Sequence, residues 1–281
     1  MILDGKQIAH EMYESLWSQI SSLVKKPTLW AVLVWDSNSP SLRYIKQKKR
    51  ETKKIGMWFS LTHLPKDISE DELIQEIQKL NTNKDISGYI VQLPLPSDID
   101  PLHVIRNIDP QKDVDGFHPE NQGKVMIGDP SGFSPCTPAG VMQIFSYYDI
   151  WLKWKNIVVL GQSNIVGKPM AQMCINSGAT VVSCNHLTPD ISVYTRQADI
   201  IISATGQIGL ITPDIVKEDA VIIDVWFSIR DGEIFGDTEY EPLLSAWHDI
   251  TPVPGWVGPM TVAMLLSNTL RAHKQAHEKT I

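Results

Sequence analysis

The chain switches repeatedly between two apolar periods, and this alternation limits its fold more than any other feature. Short runs at 28–35 (TLWAVLVW), 156–161 (NIVVLG), 179–184 (ATVVSC), 199–204 (DIIISA) and 220–226 (AVIIDVW) are apolar almost throughout. Strands apolar on both faces belong inside a parallel sheet covered by helices. A further strand is expected over 88–96 (GYIVQLPLP), stopped by its two prolines. Between these runs the spacing turns helical. Ile8, Met12, Leu16, Ile20 and Val24 recur every four residues, the mark of an amphipathic helix. Residues 41–56 and 165–178 also read as helices. Ser69 and Glu72 form a capping box ahead of Leu73, Ile77 and Leu80, which share one helical face. A last helix is expected from about Gly258 toward Lys274. Strand–helix–strand order of this kind predicts an α/β fold with mostly parallel sheets.

At 281 residues the chain is long enough for one large domain or two ordinary ones. A net charge of −7 argues against a nucleic-acid partner, which calls for a basic footprint. No apolar run approaches a membrane span, so no membrane partner is expected. The N-terminus turns polar at once, without a signal-peptide core. Cys136, Cys174 and Cys184 are odd in number and form no CxxC. They read as free thiols in a reducing compartment, and a cytoplasmic location is expected. The stretch 108–137 is rich in Gly, Pro and Asp and has no sustained period; long irregular segments are usually functional or linkers. At its end, Thr137 and Pro138 read as N-cap and first residue of a helix.

The sharpest local signal is NIVVLGQSNIVGKPM. A buried strand ends at Gly161 and a helix begins near Ile165. Glycine permits the tight turn, and the free N–H groups and dipole of the helix start favour an anion such as pyrophosphate. The spacing Gly161-x-Ser163-x-x-x-Gly167 departs from G-x-G-x-x-G, but its strand–turn–helix setting is the one a dinucleotide fingerprint needs. An ordinary βα turn with no ligand is the alternative. The next strand ends in Asn185-His186, where NAD-preferring domains usually carry an acid for the ribose diol. His186 is placed to pair with a 2′-phosphate, or it is a solvated loop residue.

A second candidate lies in the basic run RYIKQKKR at 43–50. On a helix Tyr44 and Lys48 stand at i and i+4 and share a face. Lys46, Lys49 and Arg50 then point elsewhere, into solvent. Gln92 stands at a strand end before two prolines, where it can simply satisfy backbone groups. Asp113 and Asp115 fall in the irregular segment. From the residues alone, turn chemistry is the favoured reading of this pair, and two aspartates are too few to argue for a metal. His118 reads as structural.

Six stretches taken together resemble the bifunctional methylenetetrahydrofolate dehydrogenase/cyclohydrolases. They are S-x-x-Y-I-x-x-K at 41–48, VQLPLP at 91–96, KDVDGFHPxNxG at 112–123, PCTPAG at 135–140, GQSNIVGKPM at 161–170 and TPVPGxVGPMTVAML at 251–265. They occur in the family's order and cover nearly the whole chain. The resemblance implies two α/β domains with a cleft between them. Residues 1–138 plus 258–281 would form the folate-binding catalytic domain, and 139–257 a Rossmann-type NAD(P)-binding domain. It implies oxidation of 5,10-methylene-tetrahydrofolate with NAD(P)+, then hydrolysis of the methenyl product to 10-formyl-tetrahydrofolate, a step that feeds purine biosynthesis. The cofactor would be NADP, with NAD possible, the partners tetrahydrofolate derivatives, and the assembly a homodimer.

The resemblance also assigns residues. Lys48 becomes the catalytic lysine, Gln92 the glutamine that bonds and tunes it, Tyr44 the stacking tyrosine and Asp115 the aspartate that holds the pterin. An amine that can lose its proton suits attack of water on a cationic amidinium, because burial and nearby cations favour the neutral amine. A carboxylate accepts paired N–H bonds from an aminopyrimidinone edge. Leu93, Pro254 and Gly255 join the substrate site, and Gly161, Gln162, Ser163, His186, Phe227 and Gly258 the cofactor site; no metal is implied.

Two departures stand out. The family's D-x-G-I-N is here Asp224-Val-Trp226-Phe227-Ser228, and its P-G-G-V-G-P is Pro254-Gly255-Trp256-Val257-Gly258-Pro259. Each puts a tryptophan where the family has glycine, near the nicotinamide end of the cofactor. Either the indoles pack on each other or on the nicotinamide, or they fill its pocket and leave a cyclohydrolase with impaired dehydrogenase activity. Gln162 also stands where many relatives carry Arg or Ala, which weakens an NADP preference. A small hydroxy- or keto-acid dehydrogenase would need neither the 91–96 nor the 112–123 segment. A purely regulatory nucleotide-binding module would leave Lys48, Gln92 and Asp115 incidental.

Overall fold

A computed structural model describes residues 1–34, 40–231, 233–253, 255 and 257–278. The chain forms two compact units. One comprises Glu11–Lys124, Pro130–Ser134 and Val262–Ile281, the other Met1–His10, Val125–Asp129 and Pro135–Thr261. Their bounds differ from the sequence expectation: residues 1–10, 125–129, 135–138 and 258–261 fall in the second unit. Ile2 forms a parallel bridge to Ile250, and the Leu3 N–H donates to the Ile250 carbonyl, so the first residues join the second unit.

The helices and strands follow in chain order as α1 (Gly5–Ser21), β1 (Thr28–Val34), α2 (Pro40–Lys54), β2 (Trp58–Leu64), α3 (Glu70–Thr82), β3 (Gly88–Val91), α4 (Pro101–Arg106) and α5 (Pro119–Ile127). The first unit is built on a parallel sheet in the order β2-β1-β3. Parallel register pairs Leu29 with Phe59 on one side and with Gly88 on the other. Leu73, Ile77 and Leu80 of α3 are buried, as their spacing predicts, in a core with Val32, Val34, Tyr89 and Val91. The capping box forms: the Glu72 N–H donates to Ser69 Oγ, and the Ser69 N–H to Glu72 Oε2.

The second series is α6 (Cys136–Tyr147), β4 (Asn156–Leu160), α7 (Gly167–Asn176), β5 (Thr180–Cys184), α8 (Ser192–Thr195), β6 (Ile200–Ser203), β7 (Val221–Asp224), β8 (Phe227–Arg230), β9 (Glu233–Gly236), α9 (Tyr240–Ser245), β10 (Asp249–Ile250) and α10 (Val257–Glu278). Here β10-β7-β6-β4-β5 make a five-stranded parallel sheet, and β8 and β9 a separate antiparallel hairpin. Both sheets are parallel, as continuous apolar strands require. No described helix is long and apolar enough to cross a membrane.

The structure departs from the sequence expectations at several points. Val24 lies beyond α1 and is 104% exposed, because the helix ends at Ser21 and the four-residue period no longer applies. The strand expected over 88–96 stops at Val91. Thr137 is not an N-cap: α6 starts two residues earlier than expected, at Cys136 after Pro135, and Thr137 Oγ1 pairs with Thr261 Oγ1 at 3.0 Å. The irregular segment 108–137 holds α5, with Pro119 at its start and Gly128 at φ +73° just past its end. Replacing Ser69 by Ala removes a side-chain acceptor at the start of α3 and should cost about 1 kcal/mol, read as a lower urea midpoint for the unit built on β2-β1-β3.

Candidate active site

The helical period of α2 sorts its basic residues. Lys48 is only 8% exposed, while Lys46, Lys49 and Arg50 face solvent. Arg50 and Lys54 both pair with the buried Glu51, so that carboxylate is already taken. Lys48 Nζ instead donates to Gln92 Oε1 at 3.1 Å. Gln92 follows β3; its backbone N–H donates to the Val32 carbonyl, and its Nε2 to the Leu93 carbonyl at 2.8 Å. The strand end and the Leu93 carbonyl therefore fix which face of the amide meets the lysine. Leu93 precedes Pro94 across a cis peptide. Lysine is rarely this buried without a charged partner. Tyr44 lies one turn before Lys48, partly covered, and burial raises its phenol pKa above the ordinary value.

The two aspartates separate in role. Asp113 is buried and accepts from the His118 N–H at 2.8 Å, the Phe117 N–H at 3.2 Å and Asn121 Nδ2 at 2.8 Å. Its carboxylate organises the turn, and burial pushes its pKa up. Asp115 is partly exposed in the same turn. His118 Nδ1 accepts from the Glu120 N–H, which makes it a helix-start residue.

In the five-stranded unit the turn after β4 is shaped by contact. Gly161 sits at φ +102°, and a Cβ there would overlap the Ala204 carbonyl; one on Gly167 would overlap the Gly161 carbonyl. Only glycine lets the turn, the β6 end and the α7 start approach so closely. Ser163 Oγ accepts from the Val166 N–H at 3.2 Å and the Gly167 N–H at 3.4 Å, capping the start of α7. A cavity of about 520 Å³ opens beside this turn, lined in part by Gly161, Gln162, Ser163, Asn185, His186 and Thr205. Its volume is that of a small-molecule pocket. Phe227, Gly255 and Gly258 belong to this unit but do not line the cavity. The space beside Gly255, which has φ +121°, is filled by the Lys6 side chain. Pro254 and Trp256 lie outside the described residues, so the expected pairing of the two indoles does too.

Trp226 is 48% exposed, and its ring lies about 3.0 Å from where a Cβ on Gly206 would stand. Ser228 Oγ donates to the Gly206 carbonyl at 3.0 Å. The indole rests on the turn after β6 and does not line the cavity. Sequence reasoning missed what holds that turn from behind. Asp237 Oδ2 accepts from Ser203 Oγ at 2.7 Å and from the Thr205 N–H and Oγ1, both at 2.8 Å. Beside it Asp224, 0% exposed, accepts from the Thr238 N–H and hydroxyl, while its Oδ1 has no partner among the described residues. Burial first, and then the neighbouring Asp237 carboxylate, push Asp224 up to about 7.

Parallel strands, a glycine turn with a cavity beside it, and a buried lysine on a neutral acceptor mark a dinucleotide-type α/β enzyme with a second candidate site. The sequence model of the tetrahydrofolate dehydrogenase/cyclohydrolase catalytic domain matches residues 3–115, and that of the family's NAD(P)-binding domain matches residues 135–277. The chain belongs to this family. It is 47% identical over 275 residues to the bifunctional protein FolD of Hydrogenobaculum sp. strain Y04AAS1, covering 98% of this chain and 99% of that one. The crystal structure of the bifunctional FolD enzyme from Campylobacter jejuni superimposes with a TM-score of 0.95 at 42% identity, covering 98% and 99% of the two chains. The Trypanosoma brucei enzyme, solved with NADP cofactor and inhibitor, gives a TM-score of 0.91 at 31% identity and 98% and 97% coverage.

The raised Asp224 carries a stability consequence. Its folded pKa of about 7 exceeds the ordinary 3.8, so the folded state holds a proton the unfolded state has lost between those values. Stability contributed by the neutral acid is complete below about pH 4 and is lost as pH rises through about 7. Asp224→Asn should flatten that fall in a series of urea melts from pH 5 to 8.5; an unchanged slope would show that Asp224 titrates normally.

Proposed function

We propose how the family's two reactions are divided over this chain. The enzyme oxidises 5,10-methylene-tetrahydrofolate to the 5,10-methenyl compound with NAD(P)+ and hydrolyses that product to 10-formyl-tetrahydrofolate. The observation that carries the division is Lys48: buried, bonded to Gln92, and without a carboxylate partner among the described residues. Its amine is held by a neutral amide oxygen and is not taken up by an ion pair among the described residues. Water adds to the amidinium carbon and gives its proton to Lys48 Nζ. The proton then passes to the departing ring nitrogen as the C–N bond breaks. Gln92 sets the direction of the amine. Tyr44 stacks on the pterin, and Asp115 accepts its paired N–H groups with Leu93 alongside; Pro254 and Gly255 are substrate residues by the family resemblance alone. These roles rest on the family motifs and on the shared inward face of Tyr44 and Lys48.

The cavity beside Gly161 fits a nicotinamide dinucleotide, because it opens at a strand–turn–helix whose helix start favours an anion such as pyrophosphate. When bound, that cofactor supplies the hydride acceptor. Gly161, Gln162, Ser163 and His186 would hold its adenosine half, with Phe227 and Gly258 toward the other end. On the family resemblance, the functional division is 1–138 with 258–281 for folate and 139–257 for NAD(P), while residues 1–10 pack with the second unit. The family resemblance supports a homodimer, and three buried free thiols support a reducing, cytoplasmic setting. The 10-formyl product suits a supply of one-carbon units for purine synthesis.

Lys48→Met should lower hydrolysis of the methenyl compound by roughly 10²- to 10⁴-fold while binding of the dinucleotide persists. Hydrolysis at the unaltered rate would remove the lysine from the mechanism. Asp115→Asn should raise the KM for the folate substrate roughly tenfold with the cofactor KM unchanged, in steady-state kinetics.

A further inference from the structure

We infer that the adenosine end of the cavity distinguishes NADP from NAD only weakly, and that a closed pair of neutral amides, Gln162 with Asn185, is what makes it so. This rests on reading the cavity as the dinucleotide site. Selection for the 2′-phosphate normally comes from an arginine, whose planar fork grips two phosphate oxygens; selection against it comes from an acid that accepts both ribose hydroxyls. Among the described residues lining the cavity there is no lysine or arginine, and β5 ends in Asn185-His186 rather than an acid.

The two amides are also occupied. Gln162 Nε2 donates to the Ser183 carbonyl at 3.0 Å and to Ser183 Oγ at 3.2 Å. Its Oε1 accepts from Asn185 Nδ2 at 2.9 Å, and Asn185 Oδ1 accepts from the Leu187 N–H at 2.9 Å. Each amide holds the other, and together they leave one Asn185 N–H as donor and one lone pair on each amide oxygen as acceptor. A single neutral donor serves a ribose hydroxyl and a phosphate oxygen about equally. The fixed charge on the wall has the wrong sign for a phosphate. Asp190 lines the cavity, and its hydrogen bonds from Ser192 hold its pKa below the usual carboxylate range. His186, exposed at the rim, is the lining imidazole. Among the described lining residues a 2′-phosphate therefore meets one carboxylate and one imidazole and no lysine or arginine, with Arg196 acting on Asp190 from outside the lining.

The test is calorimetric titration of the intact protein with ADP and with 2′,5′-ADP at one fixed ionic strength. The two should bind with dissociation constants within tenfold of each other. Gln162→Arg opens the amide pair and adds a guanidinium fork, and should tighten 2′,5′-ADP at least tenfold relative to ADP. A wild-type preference beyond tenfold in either direction overturns the inference and leaves the cavity as the cofactor site. An unchanged preference in Gln162→Arg removes the amide pair as the determinant. Binding of neither nucleotide overturns the cofactor assignment itself, and this inference with it.

Discussion

In a sheet whose strands all run the same way, everything just past a carboxyl end lies along one edge. Gln92 follows β3, Gly161 follows β4, Asn185 follows β5, Thr205 follows β6 and Trp226 follows β7. Within each unit the strands are hydrogen-bonded in parallel register, so these positions are set by pairing deep in the sheet and not by the loops themselves. Ligands in open α/β sheets gather at such edges for this reason. The glycine turn shows how tight the consequence is: the Ala204 carbonyl stands where a side chain on Gly161 would be. Shift β6 against β4 and the turn loses its shape.

Two buried polar clusters sit at these strand ends, and they solve the cost of burial differently. Lys48 is a lone amine against a neutral oxygen, held by one bond to Gln92. Asp237 is satisfied three times over by Ser203 and Thr205, whereas its neighbour Asp224 keeps one oxygen unpartnered among the described residues and is pushed toward the neutral acid. Two carboxylates side by side in a low dielectric resist double ionisation. Asp237 anchors the turn that carries Thr205 and Gly206, on which Trp226 rests. The bulky indole is thus accommodated beside the cavity by a turn secured from behind.

Much of this was legible from the sequence. Continuous apolar runs announced parallel strands, and the i, i+4 relation of Tyr44 and Lys48 turned one lysine of five basic residues inward. Ser69 and Glu72 marked a helix start with a mechanism attached. What escaped had weak local signals. The strands β8 and β9 are four residues each, with polar and exposed positions and no burial to impose alternation. Helix α5 is short and hidden in a segment whose glycines and prolines read as loop. Val24 kept the period of α1 but not its helix. The Asp224–Asp237 pair brings together the end of β7 and the turn after β9, and nothing at either position alone signals an acid in the core. The Gln162–Asn185 bond likewise depends on β4 and β5 being neighbours.

The central claim is that one chain carries both a working oxidation site and the Lys48 hydrolysis site. The direct measurement is a pair of absorbance assays on the same preparation of the unaltered protein. One follows methenyl and reduced-cofactor formation from 5,10-methylene-tetrahydrofolate with NADP+ and with NAD+; the other follows loss of the methenyl compound supplied on its own. The account predicts turnover in both assays. Loss of the methenyl compound with no oxidation by either cofactor would contradict it and leave a cyclohydrolase alone.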